Sequence, residues 1–182
     1  MFTAKYSLLL HPIDADYFLA HQDLIQHLNN IGLLGQARSE TRFDVGEQFL
    51  SYFCFMGCSP NIELEPQEND QPYCYINIPQ PSLQVQSIIS KNVKLPRCLH
   101  CKAEQSQLVR QLVEQYQNEV ICPECSHTFS PNKVNWRKTA VFAKTWIEVG
   151  NIYEAEAIPN AQFLTQLEEA TQTQWKYAYI RF

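Results

Sequence analysis

Apolar residues in this chain fall into short blocks divided by Pro, Gly and acidic turns, and the spacing within each block predicts the element it builds. Lys5 to Leu10 is a short apolar run closed by His11-Pro12, which reads as a buried first strand. Asp16 then precedes Tyr17-Phe18-Leu19-Ala20, and Leu24, Ile25, Leu28 and Ile31 recur at helical spacing. That segment predicts a helix capped by Asp14 or Asp16, whose carboxylate can accept from free N–H groups, and stopped at Gly32. Gln48 to Met56 is aromatic and apolar, as expected of a central strand ending at Gly57. Asn61 to Glu65 continues as an extended piece, and 66–72 is an acidic loop.

Tyr73 to Ile78 alternates as a strand does, and Leu83, Val85 and Ile88 suggest a short edge segment after Pro79-Gln80-Pro81. Leu108, Val109, Leu112, Val113 and Tyr116 sit at helical spacing in a Gln- and Glu-rich stretch. Trp136 to Trp146 is read as a helix. Ile147 to Val149 and Ile152 to Ala157, joined by Gly150-Asn151, suggest a hairpin with a two-residue turn. Pro159-Asn160 opens a helix with Phe163, Leu164, Leu167 and Ala170 on its apolar side, and Trp175 to Phe182 alternates as a last strand.

This order predicts an α+β fold, a mainly antiparallel sheet with helices on one face. Its outer elements echo a ferredoxin-like β-α-β…β-α-β arrangement. A fold of that kind carries no function by itself.

Composition agrees with a globular chain: 45% of the 182 residues are hydrophobic, enough for a true core. No segment approaches the ~18 apolar residues of a membrane span. The N-terminal run is too short for a signal peptide and lacks a small-residue cleavage site. The formal charge of −5 is unevenly placed. Between Lys91 and Lys138 there are eight Lys/Arg and four Glu, so a mildly basic segment sits within an acidic chain.

That segment also carries the most specific chemistry. Cys98, Cys101, Cys122 and Cys125 form a C-x2-C-x20-C-x2-C array. Each Cys-x-x-Cys turn can aim two thiolates at one point, and two turns complete the all-sulfur tetrahedron that Zn2+ accepts, with Zn–S about 2.3 Å. Four thiolates leave no position for water, so the predicted metal is structural rather than catalytic. Leu95-Pro96-Arg97-Cys98-Leu99-His100-Cys101 and Val120-Ile121-Cys122-Pro123-Glu124-Cys125-Ser126-His127 resemble the knuckles of a zinc-ribbon module over residues 95–129, with Phe129 available to pack beneath. The module occurs in proteins of many functions. His100 and His127 are read as exposed or as hydrogen-bonding to a ligand. The predicted layout is an α+β body of residues 1–92 and 139–182 interrupted by a ribbon at 93–138.

The other thiols are Cys54, Cys58 and Cys74. Cys54 and Cys74 lie in strand-like runs where cysteine acts as a small hydrophobe, while Cys58 sits at a strand end. A nucleophile needs a base, and His11, His21 and His27 define no Cys–His pair by spacing. Neither a phosphate-binding glycine loop, a nucleophile elbow nor an HExxH helix occurs. Glu63/Glu65, Glu154/Glu156 and Glu168/Glu169 read as solvated surface. No catalytic residue is therefore assigned.

The reading that follows is a cytoplasmic, non-catalytic protein with one structural Zn2+, acting through contact with another protein and not with a membrane. Seven cysteines, four in metal spacing, favour a reducing compartment. One alternative is a nucleic-acid accessory protein that uses Lys91, Lys94, Arg97, Lys102, Lys133, Arg137 and Lys138 to track phosphates and Trp136 to stack on a base. Another is an enzyme with a pocket on the sheet.

Overall fold

The computed structural model describes residues 5–56, 62–66 and 72–182. Its first strand, β1 (Tyr6–Pro12), is buried from Ser7 onward, so its backbone groups need partners on both sides. After α1 (His21–Asn30) come β2 (Leu34–Ala37), β3 (Arg42–Val45), a single helical turn α2 (Phe49–Tyr52) and β4 (Phe53–Phe55). β5 (Tyr75–Asn77) and β6 (Gln86–Ile89) precede α3 (Ser106–Glu114) and the short strands β7 (Val120–Ile121) and β8 (Thr128–Phe129). β9 (Ala140–Ala143), β10 (Ile147–Gly150) and β11 (Ala157–Pro159) follow, then α4 (Ala161–Thr171) and β12 (Trp175–Arg181).

Six strands form one sheet in the order β12-β1-β10-β5-β3-β2, with every neighbouring pair antiparallel. β11-β4, β6-β9 and β7-β8 make two-stranded sheets. The fold is α+β, as its element order implies. Within the large sheet, β1-α1-β5 and β10-α4-β12 are two split β-α-β units with interleaved strands, the ferredoxin-like arrangement. β2 and β3 extend it beyond β5, and residues 78–146 are inserted between β5 and β10.

Strand alternation separates the two faces of this sheet. Phe43, Ile76, Val149, Leu8 and Tyr179 are successive register partners across five strands. All five join one buried cluster with Leu24 and Leu28 of α1 and Phe163 and Leu167 of α4. Leu9, Ala178 and Ile180 face the other way and pack on Val141 and Ala143 of β9. Farther along that second face the row turns polar: Glu148 accepts from Ser7 Oγ at 2.8 Å and from Asn77 Nδ2 at 2.9 Å. Thus α1 and α4 share one face, whereas α3 lies against β6. No described helix is long and apolar enough to cross a membrane.

The structure corrects four elements of the sequence reading. Gln48–Met56 is not one strand: its first half turns into α2, because Phe49, Tyr52 and Phe53 are buried at helical spacing while Leu50 and Ser51 face out. Their rings pack on each other and on Phe163, with centroids 4.7–5.5 Å apart. Trp136–Trp146 holds a strand, β9, whose alternate residues serve two different clusters. Ile147–Ala157 is no hairpin, since β10 joins the large sheet and β11 pairs with β4. Finally, α1 starts at His21 with no side-chain cap, and Asp14 instead closes a local turn with the Asp16 N–H. The stop at Gly32 holds, at φ +69°, as does the Asn160 start of α4, whose side chain accepts from Phe163 N–H. The expectations for Gly57, Cys58 and Asn61 lie outside the described residues.

Two buried positions generate predictions. Gly150 pairs across the sheet with Tyr75, and a Cβ there would lie 2.2 Å from the Tyr75 ring. Gly150→Ala should destabilise the protein by about 1–3 kcal/mol through overpacking, read as a thermal midpoint several degrees lower. His11, at the buried end of β1, is lowered to about 3 by burial and by the charge of Lys176, although its contact with the Pro12 carbonyl acts the other way. Between about pH 6.5 and 3 the unfolded chain takes up a proton at this site that the folded chain does not. Stability should therefore fall with decreasing pH by up to ~1.4 kcal/mol per unit from this residue. Urea denaturation at pH 7.5 and 5 should show a smaller pH loss for His11→Gln than for the wild type.

Candidate metal centre

The four cysteines of the paired motif converge, with all four sulfurs within 4.8 Å of one another. Cys98 Sγ lies 3.8 Å from Cys125 Sγ and Cys101 Sγ 3.7 Å from Cys122 Sγ, so both contacts run between the knuckles. Four sulfurs placed tetrahedrally at about 2.3 Å from a zinc ion stand about 3.8 Å from each other. These distances fit a metal cage, and they are nearly twice the ~2.05 Å of a disulfide.

The two knuckles build this geometry by the same backbone pattern. Cys98 O accepts from Lys102 N–H and Cys98 N–H donates to Ala103 O; Cys122 repeats both bonds with Ser126 and His127. Lys102 and Ser126, each just past its second cysteine, occupy the left-handed region at φ 63° and 58°. That turn folds the backbone over its own sulfurs, and His100 N–H reaches Cys98 Sγ at 3.4 Å. β7 leads into the second knuckle and pairs with β8, which places Phe129 in a buried cluster with Cys98 and Cys122. Leu108 and Leu112 of α3 belong to the same cluster. So do Val85, Ala140 and Phe142, and the apolar support of the cage therefore continues into β9.

Burial works against ionisation of Cys98, but N–H donation from Cys101 and His100 and the adjacent thiols outweighs it and brings that thiol to about 6. Cys122 is lowered in the same way, with Glu124 and Cys125 as donors. Cys125 goes the other way. Although His127 N–H favours its thiolate, burial and the three neighbouring sulfurs push it up to about 12. Four thiols crowded into one pocket repel one another as they ionise, and a cation between them would remove that cost. A divalent ion that prefers sulfur meets that demand, and the donor set suits zinc.

His100 and His127 lie outside the four-sulfur group. Their rings stack on each other, with centroids 5.2 Å apart, at the exposed tip. The side chain that does reach a sulfur is Gln105, which the sequence reading did not single out. It is buried, and its Nε2 donates to Cys122 Sγ at 3.4 Å and to Ala103 O at 3.0 Å. Its position four residues after Cys101 carried no pattern that would mark it.

The remaining candidates are dispersed. Cys74 is buried, and burial followed by the charge of Glu156 raises its pKa, so it is an inert thiol. Cys54 is exposed on β4. His21 anchors α1 by its contact with the Ile78 carbonyl at 2.8 Å. No described histidine is hydrogen-bonded through its ring to a cysteine outside the cage. Trp136 is only 6% exposed, and its indole N–H donates to Pro131 O, so its ring is a core element rather than a stacking platform. Lys94 and Arg97 of the basic set pair with Glu154 and Glu104. Glu154 and Glu156 also serve locally, the latter accepting from Tyr153 N–H.

No family model and no curated protein matches the chain in sequence, and no solved structure matches it in fold.

Proposed function

We propose that this is a non-catalytic zinc-ribbon protein of the cytoplasm, in which one structural Zn2+ holds residues 93–138 in shape for contact with another protein. The observation that carries the reading is the closed four-sulfur set at 98, 101, 122 and 125, supported by buried apolar residues and by N–H donors. Zinc in such a set contributes folding free energy and offers no open position for substrate. A reducing compartment suits thiolates that must remain ligands.

The ribbon also presents apolar side chains to solvent beside its ligands. Leu99 is 42% exposed and Ile121 68% exposed, and the stacked His100 and His127 rings lie at the same tip. The buried core of a protein interface is more apolar than the rest of a protein's surface, and exposed apolar groups on a rigid support suit that use. A photo-crosslinking residue in place of Leu99 or Ile121 should give discrete protein adducts in the native cell, and one in place of Leu83, which is 88% exposed, should not. Equal labelling at all three positions would count against the ribbon as the interaction surface.

Protein purified without added metal should contain about one zinc per chain. Gln105→Ala should weaken zinc by about tenfold or more in a chelator competition, the usual cost of losing a hydrogen bond to a ligand. Replacing both Cys122 and Cys125 by Ser should open 93–138 to protease while residues 1–92 and 139–182 persist as a protected core. Iron in place of zinc, or complete unfolding of the double variant, would oppose the reading.

The alternative, a nucleic-acid accessory role, draws on the same basic segment. Buried Trp136 and the paired Lys94 and Arg97 speak against it. Binding to duplex or single-stranded nucleic acid should be weak at low salt and gone by about 0.15 M, where exposed charges are screened beyond ~8 Å. Anisotropy titrations across a salt series check this, and submicromolar binding at 0.15 M would favour the alternative.

A further inference from the structure

A cavity of about 330 Å³ lies where the segment leaving the ribbon meets the edge strand β12. Its wall joins Asn132, residues 134–138, β9, α4, the Trp175–Tyr177 stretch of β12, and His11 of β1. Three cations line it, Arg137, Lys138 and Lys176, and no Asp or Glu is among the described residues that do so. In a chain of net charge −5 this is a local inversion of sign.

The cations are also unneutralised. Arg38–Asp44, Lys94–Glu154, Arg97–Glu104 and Lys144–Asp16 are ion pairs among the described residues, and Arg137, Lys138 and Lys176 take part in none of them. Lys138 donates to the Tyr177 hydroxyl and lies 3.8 Å from the centre of that ring, which fixes its head at the cavity wall. Lys176 is half-buried, and burial lowers its pKa. Arg137 and Lys138 both hold left-handed backbone, at φ 50° and 60°. Adjacent left-handed residues with side-chain Cβ atoms carry a conformational cost that glycine would avoid. Strain of this kind is retained where side chains are needed in place.

The rest of the lining is apolar or neutral. Phe142 and Leu164 supply hydrophobic wall, and Asn132 and Asn135 supply amides. His11 contacts the Pro12 carbonyl through Nδ1 at 2.9 Å. A carbonyl only accepts, so Nδ1 carries the proton, and Nε2 of the neutral ring is left as an acceptor.

We propose that this cavity binds a small phosphate-bearing organic molecule of the size and polarity of a nucleoside monophosphate. The phosphate takes the three cations, and the organic body lies against the apolar wall with the amides and His11 Nε2 available to its polar edges. A phosphate monoester carries about −1.5 to −2 charges at neutral pH, a better match to three unpaired cations than a single carboxylate. The volume falls at the low end of the roughly 300–1,000 Å³ of small-ligand sites, which suits one nucleotide rather than a dinucleotide. Because Asn132, Asn135 and Arg137 leave directly from the ribbon, an occupied cavity would link ligand to ribbon position. This site is independent of the zinc reading, and metal content measured on the same samples keeps the two separable.

The test is titration of the zinc-loaded full chain with AMP, GMP, CMP and UMP, followed by tryptophan fluorescence and calorimetry, since Trp136 and Trp175 line the cavity. Parallel arms use the four nucleosides, inorganic phosphate, a Glu-rich peptide and a mixed-sequence single-stranded 12-nucleotide RNA of about the same concentration range. At least one monophosphate should saturate at one per chain with Kd of about 1 mM or tighter. Its nucleoside and inorganic phosphate should each bind about tenfold more weakly or worse, as loss of a charged hydrogen bond or of the apolar contact implies. Lys176→Gln and Arg137→Gly should each weaken the monophosphate about tenfold or more. Arg137→Gly also relieves a left-handed residue, so its thermal midpoint should not fall, and its lost binding is then not lost folding. The proposal is overturned if no monophosphate saturates up to about 10 mM, if nucleoside or phosphate alone binds as well, if either variant binds like the wild type, or if the peptide or RNA binds more tightly.

Discussion

Mutual repulsion of four crowded cysteine sulfurs is the constraint around which the inserted segment of this protein is built. Bringing Cys98, Cys101, Cys122 and Cys125 within 4.8 Å costs free energy as soon as more than one of them ionises. The chain offsets part of that cost with N–H donors from the two knuckles and with Gln105, but Cys125 still stands well above an ordinary thiol. A divalent cation converts the same crowding into cohesion. The hairpin of β7 and β8, the packing of Phe129 and α3 all contribute to the buried cluster that includes Cys98 and Cys122.

This cluster does not stop at the ribbon. Phe142 of β9 meets Trp136 and Tyr116, with ring centroids 5.3 and 5.6 Å away, while its neighbours Val141 and Ala143 pack on the second face of the large sheet. β9 is therefore the mechanical joint between the insertion that carries the four cysteines and the sheet. The sheet itself depends on β1, whose two neighbours arrive from residues 147–150 and 175–181. The insertion and the sheet meet through β9, and the cationic cavity forms at their seam.

How much of this was legible in the sequence depends on how local the determining physics is. The convergence of the four cysteines was legible, because each Cys-x-x-Cys turn presents its pair of sulfurs within four residues and the two pairs need only meet. α4 and β12 were legible too, through the Asn160 cap and the alternation from Trp175 onward. The hairpin of β2 and β3 was missed because Gly35 to Ala37 are exposed and show no alternation. The aromatic run at Phe49–Phe55 suggested a strand, and only its packing against Phe163 decided that the first turn would be helical. Gln105 and the convergence of Arg137, Lys138 and Lys176 were beyond reach. They become neighbours of a sulfur or of one another only after segments distant in sequence have folded together.

X-ray absorption at the zinc edge tests the central claim most directly, since it reports the atoms around the metal. A closed structural cage predicts four sulfur neighbours at about 2.3 Å and no nitrogen or oxygen in the first sphere. A site with three or fewer sulfurs, completed by imidazole or water, would contradict the account and reopen the question of catalysis at the metal.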